Sequence, residues 1–198
     1  MPTSLKLIAG LGNPGSKYSK TRHNAGFWFL DELAAKYHCQ FSRQAKFHGE
    51  LSRLVWERGE CYLFKPDVFM NESGRAVQAV AHYYSIEPDA TLIVHDDIDL
   101  APGTVRLKRG GGHGGHNGLR DIINQLGSSD FWRLRIGVGH PGHKDRVVDA
   151  VLGKPTAEER HLVDAVITQV LQTMPLIFNG EFQKAMNELH TSNKDGNE

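Results

Sequence analysis

The chain has 198 residues, 39% of them apolar and 23% charged, with 23 basic and 23 acidic side chains. That length suits one well-buried core and is short for two full domains. Zero formal net charge excludes a protein coated in basic residues, and no run approaches the roughly eighteen apolar residues a membrane span needs. The start, Met1 to Gly15, shows no basic segment leading into a long apolar one, so no secretory signal is expected. Cys39 and Cys61 lack metal or redox spacing, which fits a reduced, cytoplasmic location.

In chain order, "LKLIAGL" reads as a buried first strand. Phe27, Leu30, Ala34 and Tyr37 then recur at helical spacing, with Asn24 or Thr21 placed to cap the helix start. "ELSRLVWE" and "CYLFKP" flank Arg58-Gly59-Glu60 as a hairpin. "GRAVQAVAHYYS" predicts a helix with Val77, Val80, Ala81 and Tyr84 on one face. "TLIVHDD" and "GTVRLKR" predict strands, the first ending in acids. After "GGGHGG", the segment "HNGLRDIINQLG" predicts a helix that buries Leu119, Ile122, Ile123 and Leu126, and "WRLRIGVG" returns to strand. Thr156 and Glu159 form a capping-box pair that opens a long helix toward Ile177. A shorter helix follows from Glu181. The order of elements predicts a single α/β domain over residues 1–190, a mixed and mostly parallel sheet sandwiched between helices, with a polar tail at 191–198.

Gly10, Gly12 and Gly15 have the G-x-G-x-x-G spacing of a dinucleotide site. In such a site the third glycine opens a helix, and an acid ends the next strand about twenty residues later. Here "SKYSKTR" intervenes before the helical pattern, and Asp31 and Glu32 fall inside that helix. No nicotinamide or flavin cofactor is expected. The glycines instead let the chain leave the sheet tightly while presenting Asn13 and, further on, His23.

Charge is segregated along the chain. Thr104 to Arg146 holds eight bases against three acids, whereas Thr156 to Glu198 holds seven acids against three bases. A local basic surface on a neutral protein suits an anion of limited extent, such as a phosphate or one nucleic-acid end. The remaining chemistry-bearing residues fall at strand ends or in the loops that follow strands, where open α/β sheets bind ligands. These are Asn13, His23, Asn71, Asp96, His116 and Asn117, the last also a natural helix N-cap.

From the residue types alone three readings stay open. A metallohydrolase would use His113-x-x-His116, His140-x-x-His143 and Asp96, Asp97 and Asp99, but glycine- and proline-rich loops do not preorganise such ligands. A noncatalytic RNA-binding module would explain the basic segment, yet the chain lacks an interleaved aromatic stacking motif. A metal-independent hydrolase would activate water with a histidine oriented by a carboxylate, since no G-x-S-x-G elbow or catalytic-looking cysteine loop is present.

The blocks "GLGNPGSKYSKTRHNAGF", "KPDVFMNESG", "HDDIDLAPG", "GGGHGGHNGL" and "RLRIGVGHPG" resemble, in content and order, those of bacterial peptidyl-tRNA hydrolase. With "VLGKP" and the closing helices, the resemblance covers nearly the whole chain. It implies a monomeric, metal- and cofactor-independent enzyme that cleaves the ester between a peptide and the 3′-terminal ribose of tRNA. It implies that His23 is the general base, that Asp96 orients it, and that Asn13 helps distinguish N-blocked substrates from free aminoacyl-tRNA. Tyr18, Phe69, Asn71 and Asn117 match substrate-contacting positions, and Met70 lies in the same cleft wall. Lys108 and Arg135 match a basic pair that holds the tRNA 5′ phosphate. Arg106 stands where relatives often carry Lys. For His113 and His116 the expected role is packing of the glycine loop.

Overall fold

The computed structural model describes residues 4–191. Its elements in chain order are β1 (Leu7–Gly10), α1 (Ala25–Lys36), β2 (Ser42–Gln44), β3 (Gly49–Trp56), β4 (Gly59–Pro66) and α2 (Ser73–Tyr83). There follow β5 (Thr91–Asp97), β6 (Val105–Arg109), α3 (Asn117–Leu126), β7 (Trp132–Gly137), α4 (Val147–Val151), α5 (Ala157–Phe178) and α6 (Phe182–Thr191). The strands form one seven-stranded sheet in the order β2-β3-β4-β1-β5-β7-β6.

β1 is buried at every position, the pattern of a strand covered on both faces. It pairs in parallel with β4 and β5, and β5 pairs in parallel with β7. The edges are antiparallel: β2 on β3, β3 on β4, and β6 on β7. One face packs on α1, α5 and α6 around residues such as Phe29, Leu33, Val170 and Met174. The other packs on α2 and α3 around Phe64, Val77, Ile93 and Ile122. The expected helix–sheet–helix architecture is therefore present.

Two features place the site. The parallel strands β4, β1, β5 and β7 deliver their C-terminal ends to one edge, where ligands bind in open α/β sheets. In addition, α1 begins hard against that edge. A Cβ on Gly10 would stand 2.4 Å from the Gly26 carbonyl oxygen, and one on Gly26 would stand 2.4 Å from that of Val94. Only glycine at both positions lets the start of α1, and the residues just before it, lie over the ends of β1 and β5.

Several local expectations need correction. Neither Thr21 nor Asn24 caps the first helix with its side chain; the Thr21 hydroxyl donates to the Tyr18 carbonyl, and Asn24 bonds Asn13 instead. The cap of α3 is His116 rather than Asn117, which is the first helical residue. The Thr156–Glu159 capping box is formed as expected. Helix α5 has an 18-residue window of mean hydropathy 1.3, long and apolar enough to cross a membrane by length and composition, although polar residues such as Asp164, Gln169 and Gln172 interrupt it. Half of that window is buried inside the fold, as in a core helix. β2 and α4 are short elements with no strong periodic signal. Thr191 still belongs to α6; the rest of the expected polar tail, 192–198, lies outside the described residues.

Candidate active site

A cavity of about 980 Å³ opens at the C-terminal edge of the sheet. Asn13, Tyr18, His23, Phe69, Met70, Asn71, Asp96, Lys108, Asn117 and Arg135 all line it, so every expected site residue converges on one cleft. His95, His116 and Arg133 line it as well.

His23 lies in a 3-10 turn, Arg22–Asn24, just ahead of α1. Its Nδ1 is 2.8 Å from Asp96 Oδ1 and 2.9 Å from Oδ2. Because Nδ1–H donates to the carboxylate, Nε2 keeps the lone pair. Burial alone would lower the His23 pKa, but the charge and hydrogen bond of Asp96 outweigh it and raise the value above the ordinary range. Asp96 is itself buried, which works to raise its pKa. The opposing charges and N–H donors of His23 and His116 hold its carboxyl well below the usual carboxylate range.

The second donor to Asp96 is His116, whose Nε2 is 2.9 Å from Oδ1. At its other edge His116 Nδ1 accepts from the backbone N–H groups of Gly118 and Leu119 at 3.1 and 3.3 Å. An imidazole nitrogen that accepts from two N–H groups carries no hydrogen, so the tautomer is fixed with the proton on Nε2. One residue thus caps α3 and supplies Asp96 with a donor. The expected loop-packing role of His116 is extended: it is the helix cap and a partner of Asp96. Its sequence signal was the cap position itself, misassigned by one residue to Asn117.

His95 stiffens the same strand end. Its Nδ1–H donates to the Asp96 carbonyl at 2.7 Å, and its ring meets that of His116 edge-on at 5.0 Å. Burial, then the proximity of His116, pulls its pKa down to about 3. A neutral histidine here adds no charge against His23.

Asn13 is held just as closely. Its Oδ1 accepts from Met70 N–H at 2.8 Å, its backbone N–H donates to Asn24 Oδ1 at 2.8 Å, and Asn24 Nδ2 returns a bond to the Asn13 carbonyl at 3.0 Å. With Oδ1 fixed as acceptor, the amide presents Nδ2 as a donor. Met70 is buried, with its Sδ against Gly118, where a Cβ would approach to 2.6 Å. Phe69 is 54% exposed and stands edge-on to Tyr18 at 6.1 Å, giving the cleft an apolar wall. Asn71 and Asn117 are exposed at its rim.

The basic residues share one sheet face. Alternation along β6 and β7 turns Val105, Leu107, Leu134 and Ile136 into the core, which leaves Arg106, Lys108, Arg133 and Arg135 on the opposite face. Arg106 lies opposite Arg135, and Lys108 opposite Arg133. Like charges directly opposite destabilise a sheet. Arg135 is offset by Asp97, whose Oδ2 accepts from its Nε at 2.7 Å.

The paired histidines of the metal reading do not form a ligand cluster with one another among the described residues, although His113, His116 and His140 line the same cavity. His113 Nδ1 and His140 Nδ1 each accept from a backbone N–H of their own loop at 3.0 Å, from Gly115 and Gly142. Among the described residues, His23, Asp96 and His116 are the group whose ligand atoms lie within 4.8 Å of one another. Their contacts of 2.8–2.9 Å are hydrogen bonds, whereas ligands of a tetrahedral zinc stand about 3.3 Å apart.

A family model described as peptidyl-tRNA hydrolase matches residues 7–197. The peptidyl-tRNA hydrolase of Coxiella burnetii is 52% identical over 191 residues, covering 96% of this chain and all of that one. That of Halorhodospira halophila is 52% identical over 93% of this chain and 95% of its own. The crystal structure of peptidyl-tRNA hydrolase from Acinetobacter baumannii superposes with a TM-score of 0.93 at 48% identity, over 96% of each chain. With a family model across nearly its whole length and such relatives end to end, the chain belongs to the peptidyl-tRNA hydrolase family.

Proposed function

We propose that, in the hydrolysis of peptidyl-tRNA that is this family's activity, His23 of this chain is the general base and Asp96 its orienting partner. The observation that carries the proposal is the buried Nδ1–carboxylate pair, 2.8 Å long, on a ring that lines the cleft. His23 Nε2 takes a proton from water as the oxygen attacks the ester carbonyl. Asp96 stabilises the imidazolium that forms. The tetrahedral oxyanion collapses, the bond to the ribose 3′ oxygen breaks, and the imidazolium returns its proton to that leaving oxygen. No covalent enzyme intermediate and no cofactor enters this sequence.

The neutral amides of Asn13, Asn71 and Asn117 serve as donors to the substrate without adding charge. Asn13 helps select N-blocked substrates. Tyr18, Phe69 and Met70 give the peptide and the terminal nucleotide an apolar surface. Lys108 and Arg135 hold the tRNA 5′ phosphate, so a chain of zero net charge binds a polyanion through one concentrated site. The enzyme acts as a monomer in the cytoplasm, on the acceptor end of tRNA.

The test is hydrolysis of N-acetyl-aminoacyl-tRNA against the unblocked form. Much faster release from the blocked substrate is expected. Equal rates would remove the discrimination assigned to Asn13.

A further inference from the structure

Arg133 is buried to 2% exposure, has no carboxylate partner among the described residues, and sits opposite another cation, Lys108. A buried guanidinium among like charges is costly unless its donors are well used. Each terminal nitrogen gives an N–H to the backbone: Nη1 donates to the Gly112 carbonyl at 2.5 Å and Nη2 to that of Gly111, while the buried Nε has no partner among the described residues. The guanidinium carbon lies 4.7 Å from the centre of the Phe131 ring, which stiffens the side chain further.

The segment it grips is the glycine-rich loop between β6 and α3. Gly110, Gly111, Gly114 and Gly115 all have positive φ, at 69°, 102°, 56° and 82°. Such residues fix little of their own conformation, and a loop of them loses much entropy when ordered. The loop ends on His116 and Asn117. The first donates to Asp96, and the second lines the cleft. At its other end the Lys108 ammonium lies so near that a Cβ on Gly111 would stand 2.7 Å from Nζ.

We infer that Arg133 is a positioning residue for catalysis: its grip on the Gly111 and Gly112 carbonyls sets the glycine loop that presents His116 to Asp96 and Asn117 to the substrate. This role is distinct from phosphate binding: the bonds seen at both terminal nitrogens go to the loop backbone, and the two roles are separated by the substrate pair below. A misplaced His116 deprives Asp96 of a donor and loosens the carboxylate that orients His23.

The inference rests on the hydrolytic reading, so wild-type turnover on the same substrates is the control that separates the two. Arg133→Gln and Arg133→Lys are assayed on N-acetyl-aminoacyl-tRNA with and without its 5′ phosphate, per folded enzyme, with thermal unfolding in parallel. Arg133→Gln is expected to lower kcat about 10- to 100-fold, the cost of a displacement of about 1 Å at a site, and equally on both substrates. Arg133→Lys, able to hold one carbonyl, should fall between it and wild type and serves as the test should Arg133→Gln not fold. An unchanged kcat in folded variants would overturn the inference. So would a defect confined to KM for the 5′-phosphorylated tRNA, which would make Arg133 a phosphate ligand.

Discussion

His116 donates from Nε2 to Asp96 Oδ1 at 2.9 Å while its Nδ1 accepts from the first turn of α3. The helix terminus therefore fixes the tautomer that the carboxylate needs. His116 also shares Oδ1 with His23, so the two rings compete for one negative charge. Removing this second donor should have a signature beyond lost orientation. His116→Ala is expected to lower kcat/KM about 10- to 100-fold through misplacement, and to move the acid limb of the pH profile upward. With less of its charge engaged, Asp96 favours imidazolium at His23 more strongly. A downward or absent shift would show that His116 does not share the carboxylate. The α3 cap is lost too, at about 1 kcal/mol.

The wild-type pH profile follows from the same pair. A general base must be neutral, and Asp96 raises the His23 pKa above its ordinary 6.5. Activity should rise with pH through a midpoint above 6.5, read from kcat/KM. Stability moves the other way for this group: its contribution is complete below 6.5 and lost as pH climbs through the folded-state value. Asp96, held low, contributes stability above about 3.8 that is lost as pH falls through its folded-state value. A midpoint below 6.5 would contradict the assignment of His23.

The phosphate clamp is tested through the tRNA terminus. Lys108 and Arg135 are on neighbouring antiparallel strands and line one cavity, while Asp97 holds Arg135 by Nε. Lys108→Ala and Arg135→Ala should mainly raise KM for peptidyl-tRNA, with little change on a short substrate lacking the 5′ end. Removing the 5′ phosphate should reproduce the defect in wild type and add little in either variant. Identical behaviour of phosphorylated and dephosphorylated tRNA in wild type would remove the clamp.

Much of this arrangement was legible in the residues because strong local signals carried it. The apolar run and terminal acids of "TLIVHDD" span β5 to its last residue, and the Thr156–Glu159 box opens α5. The glycine pattern after β1 does not open a helix: a turn and a 3-10 segment lie between Gly15 and Ala25. What was not legible depends on contacts distant in sequence. Asn24 looked like a cap because its position before α1 favours one, but the Asn13 backbone, 11 residues away, offers both a donor and an acceptor. His116 looked like loop packing because nothing local links it to Asp96, 20 residues earlier on another element. Arg133 looked like one base among eight, since its burial and its bonds to Gly111 and Gly112 follow from strand pairing.

The central claim is that His23 activates the attacking water. It is tested most directly by single-turnover hydrolysis of N-acetyl-aminoacyl-tRNA with His23→Ala, alongside thermal unfolding. General-base assistance is worth about 10²–10⁴-fold, so a loss of that size is expected in a protein that remains folded. Near-normal turnover in folded His23→Ala would contradict the account.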